Sequence, residues 1–297
     1  MFKFKSLLGI NSMPIVFVLI WSTGFIVARY GMPYAPPFHF LAWRYLFSIT
    51  CFLFWVYFAK VAWPNHSRQW FHLAVTGALM HAGYLGGVWS AVKLGMGAGL
   101  TSLIVGFQPV LTGIWLSSTG GKVTKRQWLG LILGFLGLML VVSKKIESSL
   151  EVTPWSLLCI LTALASITIG TLYQKKFVQP CDVRSANTVQ LISALLLTAP
   201  LAFLEAGNMQ WNLQLWGSMA WSVLGLTLGG SSLLYMLIQR GAAASVTSLM
   251  YLVPPTTALL AWILFDEVIT ALTLIGIALT AVGVSLVVRP VSTQSDK

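Results

Sequence analysis

A chain of 297 residues in which 57% are hydrophobic and only 8% charged cannot coat a soluble globule, whose usage of charged residues is about a quarter. The formal net charge of +11 does not point to a nucleic-acid groove, because it is scattered through short breaks between apolar runs and so reads as topology and attraction to anionic headgroups. Mean hydropathy of +0.82 and runs close to the ~20 residues that cross a ~30 Å hydrocarbon layer predict an all-α integral membrane protein of ten transmembrane helices.

The opening MFKFKSLLGI has the basic start and apolar core of a signal peptide. No clean small-residue cleavage site follows, so it reads as part of the first helix. That helix is expected at 13–28 and carries WSTGFIVARYG from Trp21. The second, at 38–59, carries FLAWRYLFS from Phe40 and brings Arg44 about 9 Å in from its edge at 1.5 Å per residue. An arginine at a helix centre costs ~2.5–3.5 kcal/mol on insertion scales. Arg44 is therefore either an interfacial anchor or a fixed cation facing a cavity, where its fork would match a substrate carboxylate.

The third helix, at 70–92, places His81 near mid-depth, with Tyr84 on the same face. His81 is the one deep residue whose ordinary pKa lies near neutrality, which makes it the candidate for proton coupling. The fourth helix, at 96–117, contains Pro109, which leaves the Val105 carbonyl without its helical amide. Gln108 is the polar neighbour of that break. The remaining helices are expected at 127–143, 155–173, 186–204, 215–238, 242–265 and 271–288. In the ninth, Pro254 and Pro255 free the carbonyls of Met250 and Tyr251, with Ser248 close by. Freed carbonyls at membrane depth must meet water, side chains or a ligand. These breaks, with Arg44, Gln108, Tyr84, Tyr251 and Ser248, form the expected binding site, and Trp21, Trp43 and Trp89 are its expected walls.

A shift of 146 positions lays Gly95 to Val142 without a gap on Gly241 to Val288, matching AGLTSL to ASVTSL and Pro109 to Pro255. The same shift carries Gly24 to Gly170 and Arg44 to Gln190. The chain thus divides into repeats at 1–148 and 149–297, five helices each. An odd number of crossings turns the second repeat upside down relative to the first, the arrangement of many secondary transporters. With the N-terminus cytoplasmic, 13 Lys and Arg fall inside and 4 outside, so both termini are expected in the cytoplasm.

With its Trp-small-polar-Gly stretch, Arg-aromatic pair in the second helix and proline-bearing fourth helix, duplicated in order, the chain resembles the EamA-type branch of the drug/metabolite transporter superfamily, over about Pro14 to Val288. The resemblance implies an inner-membrane carrier of small metabolites, often an exporter of amino acids. One departure is visible: the acid that usually follows the fourth helix survives as Asp266-Glu267 in the second repeat, whereas the first has Gly120-Gly121.

Three classes of function compete on these residues. A carrier of zwitterionic or anionic metabolites uses Arg44. A multidrug exporter of hydrophobic cations would want an acid within a helix, and the sequence places none there. A non-transporting scaffold would need no polar, proline-broken helices. No enzyme is expected, since the His, Cys and acid inventory yields no nucleophile–base or metal constellation, and neither a cofactor nor a metal is implied. The expected partners are a small-molecule substrate and the lipid bilayer. Glycines such as Gly130, Gly134, Gly276 and Gly283 mark packing seams, within the chain or between two copies in a homodimer.

Overall fold

The computed structural model describes residues 13–118, 124–147, 152–239 and 252–288. Their regular structure is helical, with no strand among them. We label the helices α1 (Met13–Gly31), α2 (Pro37–Phe58), α3 (Ser67–Gly77), α4 (Tyr84–Lys93), α5 (Ala98–Val105), α6 (Gln108–Ser118) and α7 (Lys125–Glu147). They are followed by α8 (Pro154–Phe177), α9 (Val183–Leu204), α10 (Leu213–Trp221), α11 (Ser232–Gln239), α12 (Val253–Phe265) and α13 (Ala271–Val288). Six stretches among the described residues are long and apolar enough to cross a membrane, and three shorter apolar helices accompany them. Phe203, 90% exposed, and Leu196, 69% exposed, belong to an outer surface that is apolar where a soluble protein would be polar. The molecule is a multi-pass membrane protein.

Helix starts are fixed by capping groups, some of them from distant parts of the chain. Pro36 and Pro37 begin α2 where a missing N–H costs nothing. The Glu205 carboxylate then accepts from the backbone N–H of Phe38 at 2.9 Å and of His39 at 3.2 Å. Glu267 does the same for α5, accepting from Ala98 N–H at 2.9 Å and Gly99 N–H at 3.2 Å. A carboxylate there meets both the orphan donors and the positive end of the helix dipole. Local caps serve α8 (Thr153 with Ser156), α9 (Asp182) and α10 (Asn212).

Two of the long helices are not α-helical throughout. Between α3 and α4 the chain makes a π turn over Ala78–Gly83, and between α10 and α11 another over Ser222–Ser231. Shifted by 146 positions, the first falls within the second. Such turns loosen the carbonyl ladder and concentrate at functional sites.

The expected kink at Pro109 is a full break: α5 ends at Val105, and α6 restarts at Gln108 with the proline in its first turn. Pro254 and Pro255 likewise sit at the start of α12. Glycines close the seam between α7 and α13. A Cβ at Gly137 would lie 2.7 Å from the Gly276 carbonyl oxygen, and one at Gly283 would run into the backbone of Gly130 and Gly134. The small-residue seam is therefore internal, joining α7 to α13.

Candidate functional site

A cavity opens at the heart of the bundle, walled by α1, α2, α4, α8, α9, α11 and both π turns. Its polar lining includes Arg44, His81, Tyr84 and Gln190 together with Gln174, Asn187, Ser231 and Tyr235. Trp21, Phe25, Trp89 and Leu226 line it with apolar surface. A few converging polar groups on an apolar lining are the mark of a small-molecule site.

Arg44 is 4% exposed. Its Nε donates to Thr227 Oγ1 at 3.1 Å, and its guanidinium carbon lies 6.0 Å from the centre of the Trp89 ring. Trp89 in turn stacks on Phe40 at 4.3 Å. A fixed cation is thus held at membrane depth by one hydroxyl and one aromatic face, and no acid lies among the described residues lining the cavity. The His81 ring sits beside the Gln190 carboxamide in the same cavity. The Tyr45 hydroxyl donates to the His81 carbonyl at 2.8 Å, meeting a backbone acceptor within the π turn. Trp21 and Tyr84 stack in parallel with ring centres 6.2 Å apart.

The positions that make these contacts are related. The shift of 146 residues carries Arg44 to Gln190 and His81 to Thr227. Arg44 reaches Thr227, and Gln190 lies beside His81, so each second-helix residue meets the opposite π turn. Gly77 permits this crossing, since any side chain there would collide with the Gln190 backbone carbonyl.

Of the residues singled out in the sequence, Arg44, His81, Tyr84, Trp21 and Trp89 share the cavity. Trp43 does not: it is 41% exposed and packs against Phe47 and Trp211. One residue along an α-helix is a rotation of about 100°, so the neighbour of a cavity-facing Arg44 turns away. Gln108 also lies outside the lining and donates to Thr171 Oγ1 at 3.1 Å. The helix breaks do approach one another, with Gly106 against the Pro254 ring, but they line a separate cleft with Pro255 and Thr280 rather than the Arg44 cavity. The backbone of Pro109 lies in α6, and Tyr251 and Ser248 lie outside the described residues. Sequence reasoning overlooked Gln174, Asn187, Thr227 and Tyr235. Their signal was present only as polar residues at helical spacing in otherwise apolar runs.

A multi-pass helical membrane protein with a polar-studded central cavity has the form of a small-molecule carrier, and its relatives give the class. The EamA-like transporter family model matches residues 8–143 and again 154–289. The chain belongs to the EamA-like transporter family. It is 25% identical to the uncharacterized transporter YvbV of Bacillus subtilis (strain 168), over 91% of this chain and 88% of that one. It is 24% identical to the uncharacterized inner membrane transporter YedA of Escherichia coli (strain K12), over 96% and 92% respectively. It is also 23% identical to the probable amino-acid metabolite efflux pump of Escherichia coli (strain K12), over 90% of each. A solved crystal structure shares the fold with a TM-score of 0.69 at 16% identity, covering 93% of this chain and 95% of that one.

Proposed function

We propose that this transporter is a secondary carrier exporting amino acids or similar small carboxylate-bearing metabolites across the inner membrane by alternating access. The observation that carries the reading is the buried guanidinium of Arg44 in a central cavity whose described lining contains no acid. Such a site attracts a carboxylate and repels a cation, which counts against the export of hydrophobic cations. The relatives named as an amino-acid metabolite efflux pump and as an inner membrane transporter support the substrate class, direction and location.

The carrier is built from ten helices in two inverted five-helix repeats, with both termini cytoplasmic. Three observations support that reading. Helices α2 and α9, which start at Pro37 and Val183, and α7 and α13, which start at Lys125 and Ala271, begin 146 positions apart. The two family-model matches are spaced equally. Gly24 lies against Leu226, and its counterpart Gly170 against Met80, the counterpart of Leu226. Rocking of one repeat against the other would expose the cavity first to one face and then to the other. His81 is the group to test for proton coupling.

The test is a flux measurement in vesicles against a panel of amino acids, organic acids and organic cations, with the pH gradient first clamped and then collapsed. Movement of carboxylate-bearing compounds is the expected result, and movement of cations alone would overturn it.

A further inference from the structure

Gln190 carries a signal that its neighbours do not. It is 3% exposed, it lines the cavity, and among the described residues nothing accepts a hydrogen bond from its Nε2. A buried amide N–H without an acceptor is costly, and an acceptor brought into the cavity by a ligand would meet it. Three serine hydroxyls, on Ser48, Ser218 and Ser222, are also unpartnered, but none of them lines the cavity. Each lies on a helix, where a hydroxyl can turn to the carbonyl one turn back. The Gln190 carboxamide stands beside the His81 ring, yet its Nε2 is without an acceptor.

We infer that Gln190 is a substrate-binding residue: its Nε2 is the second donor of a single carboxylate seat whose first donor is Arg44. The inference rests on the carboxylate reading above and deepens it. Nε of Arg44 is held by Thr227, leaving the terminal N–H groups of the guanidinium for a ligand. A carboxylate offers about four lone-pair sites; the guanidinium fork takes two, and the Gln190 amide takes a third from the facing helix α9. Because Arg44 and Gln190 stand at positions 146 apart on α2 and α9, the seat spans both halves of the chain, and cargo bound there couples them. The asymmetry of the pair sets specificity. One charged and one neutral donor give a net charge of one, suited to a single carboxylate, whereas two guanidinium groups would favour a dianion.

The experiment uses the full-length chain in detergent and reads thermal stabilisation by phenylacetate, phenylalanine and phenethylamine, which share a ring and differ in charge. The wild type is expected to be stabilised by the two carboxylates and not by the amine. Gln190→Met keeps length without a donor, and it should weaken carboxylate binding about tenfold or more, as loss of a hydrogen bond to a charged group does. The variant also loses the carboxamide contact with the His81 ring, so a small fall of its ligand-free melting temperature is expected, too small to account for the weaker binding. Gln190→Glu, which places an acid in the same cavity as Arg44, should abolish the response. Wild-type affinity in Gln190→Met, or a fall in its ligand-free melting temperature large enough to account for the weaker binding, would overturn the assignment and leave Arg44 as the sole anchor. Absence of stabilisation by either carboxylate in the wild type would overturn the carboxylate reading and this inference together.

Discussion

Thr227 accepts from Arg44 Nε at 3.1 Å while giving its own proton to the Ser222 carbonyl at 2.9 Å. The hydroxyl therefore fastens a carbonyl within the π turn and turns its lone pairs towards the guanidinium. A loosened backbone and a buried cation share one side chain, so the shape of the π turn and the aim of Arg44 are not independent.

Replacing Thr227 by Val keeps the shape and removes both bonds. We expect Thr227→Val to fold and insert but to raise the substrate concentration for half-maximal flux severalfold, with Thr227→Ser close to wild type. Transport kinetics across a substrate series in reconstituted vesicles would check this. An unchanged Thr227→Val would mean that the aim of Arg44 does not depend on the hydroxyl.

The seam between α7 and α13 should tolerate nothing larger than hydrogen. Gly283→Ala forces a methyl into the backbone of Gly130 and Gly134, and overpacking of this kind typically costs about 1–3 kcal/mol. Gly217, whose surroundings are open for 4 Å on α10, provides the contrast: Gly217→Ala should hold or raise the melting temperature, as alanine favours a helix by about 1 kcal/mol over glycine. Thermal unfolding of the two variants side by side in one detergent is sufficient.

Glu267 is a remote cap, reaching the first amides of α5 from the end of α12. Loss of a cap costs about 0.5–2 kcal/mol, so Glu267→Ala should lower the melting temperature clearly and Glu267→Gln by less. If neither variant moves it, the carboxylate is not holding the helix end. The acid that the resemblance singled out in the sequence thus has a structural task in the second half of the chain. The Gly120-Gly121 position of the first half lies outside the described residues.

Asp182 is held below the usual carboxylate range, first by the side-chain hydrogen bond from Arg184, which bonds both of its oxygens. A depressed carboxylate contributes stability above the ordinary Asp value of about 3.9 and loses it as pH falls through the lower folded value. Wild type should therefore lose stability on acidification below about pH 4 more steeply than Asp182→Asn. Parallel pH profiles of melting would contradict the assignment.

How far these features were legible in the sequence depended on whether they were local. Membrane character and the cavity position of Arg44 and His81 could be read because a polar residue inside an apolar run must face something polar. Trp43 could not be placed, since one step along a helix decides between cavity and outer surface, and periodicity in a uniformly apolar run does not fix that rotation. The break at Pro109 was visible from proline chemistry, but its neighbour was not. Gly106 meets Pro254 in their own cleft, a fact of helix crossing that lies more than a hundred positions away in the chain. The pairing of Arg44 with Thr227 was hidden for the same reason, although the repeat spacing applied to His81 would have pointed at Thr227.

The central claim is that Arg44 receives the carboxylate of the cargo. The most direct measurement is flux of a carboxylate-bearing substrate through Arg44→Ala and Arg44→Lys proteins, reconstituted in equal amounts with insertion verified. Loss of flux in Arg44→Ala and partial recovery in Arg44→Lys, which restores the charge without the fork, is the predicted result. Wild-type flux through Arg44→Ala would contradict it.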